Sequence, residues 1–191
     1  MLRQKPQRPL VWLWFRYDLW MTRIYGFSPV VGKQPKVLVL GSMPSVASLE
    51  QQQYYAKPQN AFWRIMGAMF DAGPDVDYNE RTARLIEAGI ALWDVLASCV
   101  RPGSLDASID MTSAQANDLP GLLRKYPTIR AVFFNGRKAE QMFQRWAYAD
   151  VQIVSPNLTY HAMPSTSPAM ASLNFDAKLD RWSKLKDVLE A

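Results

Sequence analysis

Short apolar runs recur along this chain and are separated by segments in which apolar residues have a helical spacing. The clearest run, Val-Leu-Val-Leu at residues 37–40, ends at a glycine, and comparable runs occupy residues 90–96 and 129–134. Such runs, bounded by turn residues, are typical of strands buried on both faces of a parallel sheet. We therefore predict strands at these three positions and two further short strands at residues 151–154 and 158–163.

The segments between the runs predict helices. Pro58 begins a helix that extends to residue 70 and places its apolar side chains on one face. Asn79 is expected to cap the next helix, which stops at Gly89. Residues 101–117 are polar and predict a loop. Further helices are predicted at residues 115–126, 138–148 and 175–189.

Strands that alternate with helices predict an α/β fold of three layers, α/β/α, with a central, mainly parallel sheet of about four strands. The length of 191 residues suits one domain, which we assign to residues 21–191. Residues 1–20 are rich in Arg, Pro and Trp and form a predicted N-terminal extension. Ligands of such sheets bind beyond the carboxyl ends of the strands. This rule selects the loops at residues 41–60, 135–137 and 164–168.

Composition narrows the function classes. The chain has 22 Lys and Arg against 17 Asp and Glu, and the balance of +5 favours a polyanionic partner. The single cysteine, Cys99, excludes a disulfide framework and any metal site built from several thiolates. We therefore expect a cytoplasmic protein without a metal or other cofactor. The hydrophobic stretch at residues 10–20 is interrupted by Arg16 and Asp18 and is too short to span a bilayer, so no membrane association is expected.

The loop after the first strand carries the strongest candidate chemistry. It reads Gly-Ser-Met-Pro-Ser at residues 41–45 and Tyr-Tyr-Ala-Lys-Pro-Gln-Asn-Ala-Phe-Trp at residues 54–63. A turn of small residues lets backbone N–H groups approach a ligand, and the ring of Tyr55 can stack on a planar base. Asn60 can hold a water with its carbonyl oxygen or bond a base edge with its amide. The alternative is structural: Asn60 caps the helix and Tyr55 covers the core.

These two motifs resemble those of the uracil-DNA glycosylase superfamily and, within it, the hypoxanthine-DNA glycosylase branch. They are more loosely similar to mismatch-specific uracil glycosylases, and the resemblance runs from about residue 25 to the end. It implies an enzyme that hydrolyses the N-glycosidic bond of deaminated bases in DNA, namely hypoxanthine, with uracil and xanthine as the other candidates. It further implies base flipping. Neither a lysine nucleophile at a matching motif position nor a metal cluster is evident in the sequence, so we predict attack by water without strand cleavage, and a monomer suits an enzyme that scans DNA.

The resemblance also implies roles for residues of the first loop. Mismatch-specific enzymes direct the attacking water with an Asn in the first turn, but Met43 stands at that position here and a thioether cannot do this. The likeness to the hypoxanthine branch implies that Asn60 takes over the task. Tyr55 then matches the aromatic residue that stacks on the extruded base, and Ser42 and Met43 supply backbone groups to the pocket wall.

The last predicted loop resembles the second superfamily motif, which enters the minor groove and fills the space left by the flipped nucleotide. Small hydroxyl residues there suit contacts to phosphate. The DNA-binding residues implied are Pro164, Ser165, Thr166 and Ser167. In the best-known uracil glycosylases a His stands directly before the Pro-Ser pair, whereas Met163 stands there in this chain and His161 lies two residues earlier. A structural role is therefore favoured for His161.

The turn after the third strand resembles the Phe-Asn-Gly-Lys turn of the family. There Asn135 is predicted to read the flipped base, and Arg137 and Lys138 to face phosphates. The alternative is an ordinary strand-to-helix turn with solvated charges. Asp94, at the end of the second strand, is the remaining acidic candidate, and a structural role is favoured for it.

Two other function classes remain open from the sequence. Met43 and the displaced His161 are compatible with a module that recognises damaged or unusual DNA without chemistry. A hydrolase that uses the same sheet edge on free nucleotides is the second class. Lesion binding without base release would support the first, and binding that requires a polymer would argue against the second.

Overall fold

The fold is built around a four-stranded parallel sheet. The structure is a computed structural model that describes residues 23–191. The extension predicted at residues 1–20 lies outside the described residues. The strands are β1 (Arg23–Tyr25), β2 (Val37–Gly41), β3 (Ile90–Asp94), β4 (Leu96–Val100), β5 (Asp110–Ala116), β6 (Ala131–Asn135) and β7 (Thr159–Met163). The helices are α1 (Val46–Gln51), α2 (Phe62–Phe70), α3 (Tyr78–Glu87), α4 (Leu119–Lys125), α5 (Arg137–Trp146), α6 (Tyr148–Val154), α7 (Phe175–Trp182) and α8 (Lys184–Glu190). Over this part of the chain, no helix is long and apolar enough to cross a membrane.

The parallel sheet has the strand order β3-β2-β6-β7 and is covered on both faces. Successive side chains of a strand point to opposite faces, and β2 is buried along its whole length. Leu38 and Leu40 pack in a cluster with α4, α5 and α6, whereas Val37 and Val39 pack with α2, α3, α7 and α8. These are the three predicted layers, so the predicted α/β/α class is confirmed.

Several predicted boundaries are wrong. Helix α2 begins at Phe62 rather than at residue 58. The cap of α3 is Asp77, whose carboxylate accepts a hydrogen bond from the N–H of Glu80 at 3.0 Å, rather than Asn79. Residues 151–154 lie in α6 and not in a strand. A short apolar run with Val and Ile does not distinguish the two structures by its periodicity.

The sequence does not predict the second sheet, in which β4 pairs antiparallel with β1 and β5. The apolar run at residues 90–96 divides at Val95, whose N–H donates to the carbonyl of Gly41 at 2.9 Å. β3 before this point lies in the parallel sheet, and β4 after it lies in the antiparallel sheet. β5 occupies part of the segment predicted as a loop, and α4 begins after its cap Asp118 rather than at residue 115.

Candidate active site

Loops at the carboxyl ends of β2, β6 and β7 line one cleft of about 400 Å³. Pockets for small organic ligands fall in this range of volumes. The residues predicted as functional that line it are Ser42, Met43, Tyr55, Asn60, Asn135, Arg137, Lys138, Ser165, Thr166 and Ser167. Pro164 is absent from the lining, and its carbonyl accepts a hydrogen bond from the indole N–H of Trp182 at 3.0 Å. The structure therefore brings together all but one of the predicted site residues.

Asn60 is held in one orientation at the start of α2. Its side-chain oxygen accepts a hydrogen bond from the N–H of Phe62 at 3.0 Å, and its own N–H donates to the carbonyl of Lys57 at 2.8 Å. An amide oxygen has two lone pairs, so one remains for a further donor beside the two N–H groups of the amide. Asn60 is therefore not the cap expected under the structural alternative, because the N-cap of α2 is Ala61; its side chain instead bonds the first N–H of the helix and keeps acceptor capacity in a fixed orientation.

Tyr55 has a ring that is covered on one face and a hydroxyl that is buried. The ring stacks on Phe62, with centroids 4.0 Å apart and planes inclined by 27°. Its backbone has φ = 55°, in the left-handed region, which costs a residue with a side chain about 1 kcal/mol. The hydroxyl has no hydrogen-bond partner among residues 23–191. Burial, followed by the charge of Asp94, raises the pKa of Tyr55, and the nearby Asn135 amide, which lies outside hydrogen-bond geometry, lowers it by less, so the hydroxyl keeps its proton and can donate.

A set of hydrogen bonds around Thr166 ties the loops of the cleft together. The amide of Asn135 donates to the Thr166 hydroxyl at 2.9 Å and accepts from the Thr166 N–H at 2.8 Å. The Thr166 carbonyl accepts from the N–H of Ala61 at 2.9 Å. Gly136, with φ = 98°, lets the turn approach Ser165, because a Cβ there would lie 2.8 Å from the Ser165 Cβ. We call the three hydrogen bonds that join Thr166 to Asn135 and Ala61 the Thr166 clamp.

The clamp bears on two predicted roles. Thr166 is buried, so its hydroxyl serves the clamp rather than a surface contact. Asn135 retains one amide N–H beyond its two bonds to Thr166, and its predicted reading of a base depends on that one group. No signal in the sequence paired these two residues, which are separated by 31 positions.

The turn between β2 and α1 is held by a buried arginine. Arg101 donates to the carbonyls of Pro44 and Gly103, and its guanidinium lies 3.9 Å from the Asp106 carboxylate. Asp106 in turn accepts from the Ser42 hydroxyl, with 2.8 Å to each of its oxygens. The side chain of Met43 is buried in the core, and the residue also lines the cleft. The turn therefore has a fixed shape against which a ligand can pack.

Asp94 is a residue of this cleft that the sequence reasoning assigned to structure alone. It ends β3, is 3% exposed, and one of its carboxylate oxygens, Oδ2, has no hydrogen-bond partner among residues 23–191. Burial, and then the neighbouring Asp106, raises the pKa of Asp94 to about 8, while Arg101 acts in the opposite direction. The signal that could have found it is a carboxylate within an otherwise apolar run.

Arg137 and Lys138 lie at the start of α5, and His161 lies elsewhere. Arg137 is exposed and Lys138 is half-buried, and both line the cleft. His161 packs against the ring of Phe133 at 4.5 Å, and its Nε2 is 3.3 Å from the Thr159 hydroxyl. It does not line the cleft, which agrees with the structural role favoured from the sequence.

Comparisons with known proteins point to one family. The family model of the uracil DNA glycosylase superfamily matches residues 29–186. A hypoxanthine DNA glycosylase of Methanosarcina acetivorans is 40% identical over 115 residues, which are 60% of this chain and 72% of that protein. A hypoxanthine DNA glycosylase of Methanosarcina barkeri is 35% identical over 117 residues, with the same coverage. A solution NMR structure of a candidate uracil DNA glycosylase from Methanosarcina acetivorans superposes with a TM-score of 0.72 at 30% identity, over 89% of this chain and 100% of that one.

Proposed function

Because this chain belongs to the uracil DNA glycosylase superfamily and is a DNA glycosylase, we propose that it releases hypoxanthine from DNA, with Asn60 as the residue that positions water. The main structural support for this proposal is the cleft at the strand ends, which brings together Tyr55, Asn60 and the Thr166 clamp. The names of the two relatives support hypoxanthine as the base. Uracil and xanthine remain the alternative substrates.

The cleft suits a single extruded base. Pulling a nucleotide out of the stack costs a few kcal/mol and costs least at a mispair, so deaminated bases are favoured before any contact with the pocket is made. The exposed side of Tyr55 would stack on the base, while Phe62 supports the ring from behind. The fixed turn at Ser42 and Met43 would form the pocket wall.

The chemistry follows from the charges that develop as the glycosidic bond breaks. Positive charge develops on the sugar and negative charge on the leaving base, so N–H donors in the pocket wall stabilise the base as it departs. Asn60 would hold the attacking water with the free lone pair of its side-chain oxygen. An amide is a poor base, so its contribution is orientation and the rate is modest. The products would be free base and an abasic site in an uncut strand.

We further propose that the DNA backbone crosses the mouth of the cleft. Arg137 and Lys138 would face phosphates, and the hydroxyls of Ser165 and Ser167 would add hydrogen bonds to the backbone. The net charge of +5 is consistent with such a partner. We expect a monomer that acts in the cytoplasm.

The test is base release from oligonucleotides with a single deoxyinosine or deoxyuridine, opposite each normal base and in single strands. Alkali converts each abasic site into a strand break that a gel resolves. Wild type is compared with Asn60→Ala and Asn174→Ala. Asn174 is a matched control because its side chain caps α7 by accepting from the N–H of Ala177 at 2.9 Å, away from the cleft. Asn174→Ala should lose about 1 kcal/mol of stability with its cap, and Asn60→Ala about the same with its hydrogen bond to the N–H of Phe62.

We expect wild type to cut inosine best and Asn60→Ala to be slower by about 100-fold or more, because the water loses its position. Asn174→Ala should keep the wild-type rate. Equal rates for all three proteins would refute the role of Asn60. Binding of inosine-containing DNA without base release would favour a recognition module, and release from free deoxyinosine alone would favour a nucleoside hydrolase.

A further inference from the structure

Two buried polar atoms in the floor of the cleft have no hydrogen-bond partner in the described part of the chain. Oδ2 of Asp94 and the hydroxyl of Tyr55 make no hydrogen bond with any residue between positions 23 and 191. Both groups lie over Gly41, where a Cβ would overlap Asp94 Oδ1 and come within 3.2 Å of the Tyr55 hydroxyl oxygen. Because Gly41 has no side chain, there is room above it for the Asp94 carboxyl and the Tyr55 hydroxyl. These two groups are not hydrogen-bonded to each other.

Packing does not account for this arrangement. Buried polar groups in folded proteins nearly always have a hydrogen-bond partner, because leaving one unsatisfied is costly. Asp94 ends a strand whose other side chains are apolar, and an apolar residue of similar size would remove the cost. The carboxyl also lines the same cleft as Asn60 and Asn135. A ligand in this cleft would supply the missing partner.

We propose that the Asp94 carboxyl hydrogen-bonds the edge of the extruded base that carries an N–H next to a C=O. This edge is shared by hypoxanthine, uracil and xanthine. The proposal rests on the proposed function, because it names the group that reads the base in the same cleft. It also assigns recognition to Asp94 rather than to Asn135, whose amide is largely committed to the Thr166 clamp.

The protonation state of Asp94 suits this task. With its pKa raised to about 8 by burial and by Asp106, the carboxyl is neutral near pH 7. A neutral carboxyl offers one O–H donor and one carbonyl acceptor, which match the C=O and the N–H of the base edge. The same neutral donor would stabilise negative charge on the departing base, as buried protonated carboxyls do in other enzymes.

Ionisation of Asp94 would oppose both effects. A carboxylate only accepts hydrogen bonds, so it would repel the carbonyl oxygen of the base and the charge that develops during release. The charged groups that shift the pKa of Asp94 are Asp106, which favours the neutral form, and Arg101, which disfavours it. Burial, and to a smaller extent the charge of Asp94, raises the pKa values of Tyr54, Tyr55 and Tyr78, so their hydroxyls stay protonated.

The test is the single-turnover rate of inosine release between pH 6 and pH 10 for wild type, Asp94→Asn and Asp94→Ala. We expect Asp94→Ala to be slower by about 100-fold or more at pH 7, because the base loses its donor and acceptor. Asp94→Asn presents an N–H donor and a carbonyl acceptor to the base edge at every pH, so it should stay within about tenfold of wild type at pH 7. Circular dichroism and thermal melting report whether each variant is folded.

The pH profile separates recognition from a structural role. Above pH 8 the wild-type rate should fall by about tenfold per pH unit as Asp94 loses its proton. The N–H of the base also ionises in alkaline solution, so the diagnostic result is the difference between the variants: the profile of Asp94→Asn should bend at a higher pH than that of wild type.

Two results would overturn the proposal while leaving the proposed function intact. One is a wild-type enzyme that releases hypoxanthine with a rate and pH profile that neither substitution changes. The other is a folded Asp94→Asn that is as inactive as Asp94→Ala, because the carboxyl would then act by something other than neutral hydrogen bonding. A wild-type protein that releases no base from any substrate would instead overturn the proposed function, and this proposal with it.

Discussion

Replacing Asp94 by Asn should stabilise the protein in the absence of DNA, by an amount that grows with pH. The folded state raises the pKa of this carboxyl from 3.8 to about 8. Between these values the folded protein retains a proton that the unfolded chain has released. The wild-type free energy of unfolding therefore has its full value below pH 4 and declines as the pH rises toward 8. An amide has no proton to lose in this range, so Asp94→Asn escapes the decline.

The magnitude follows from the size of the shift. Each pKa unit corresponds to about 1.4 kcal/mol, so a shift of roughly four units costs about 5–6 kcal/mol once the carboxyl is fully ionised. Of this total, about 3–4 kcal/mol is lost between pH 5 and pH 8. These values are upper limits, because water that enters the cleft around a carboxylate would lower the cost of its charge.

Urea unfolding of both proteins at pH 5, 7 and 8.5 measures the effect. The difference in free energy, Asp94→Asn minus wild type, should increase across this series. Asp180→Asn removes an exposed carboxylate from α7 and controls for the loss of one negative charge. A difference for Asp94→Asn that does not change with pH would refute the reasoning, because it would mean that Asp94 is already ionised in the folded protein at pH 5.

Two further predictions concern the floor and the mouth of the cleft. Gly41→Ala would place a methyl group against Asp94 Oδ1 and 3.2 Å from the Tyr55 hydroxyl. Base release in single-turnover assays should therefore fall by about 100-fold. An unchanged rate in a folded variant would contradict this prediction. Arg137→Ala should lower the slope of log K against log salt for DNA binding by about one, measured by fluorescence anisotropy. Arg124→Ala, at the last turn of α4 and outside the lining of the cleft, should leave the slope unchanged.

The parallel sheet could be predicted because its strands are buried on both faces, and strands of this kind have continuous apolar sequences. The antiparallel sheet could not, because β5 is polar and partly exposed along its length. Its stability comes from pairing with β4 and from contacts such as those of Arg23, which donates to the Ser98 hydroxyl at 2.8 Å and to the Ser113 carbonyl at 2.9 Å. Such partners lie 75 and 90 positions away in sequence, and no local pattern reports them.

The residues of the site were predictable to a similar extent, for a similar reason. The rule for strand ends, together with the family resemblance, selected the loops that line the cleft. What each side chain does there depends on its neighbours in space. Thr166 reads in the sequence as a hydroxyl suited to phosphate, yet it is 1% exposed and bonded to Asn135. Asp94 reads as a structural carboxylate, and only the fold reveals that its Oδ2 has no partner within residues 23–191.

The Thr166 clamp limits how the substrate range of this chain can be re-engineered or diversified. If the last loop were replaced by that of a relative without a hydroxyl at position 166, the Asn135 amide would lose its acceptor. If the new loop followed a different backbone path, the N–H of Ala61 would also lose its acceptor. Loop exchange at a single site would then lower stability before it altered preference for a base. Residues 135 and 166 must therefore change together, because their side chains bond each other, whereas the backbone bond from residue 61 requires only that the last loop keeps its path.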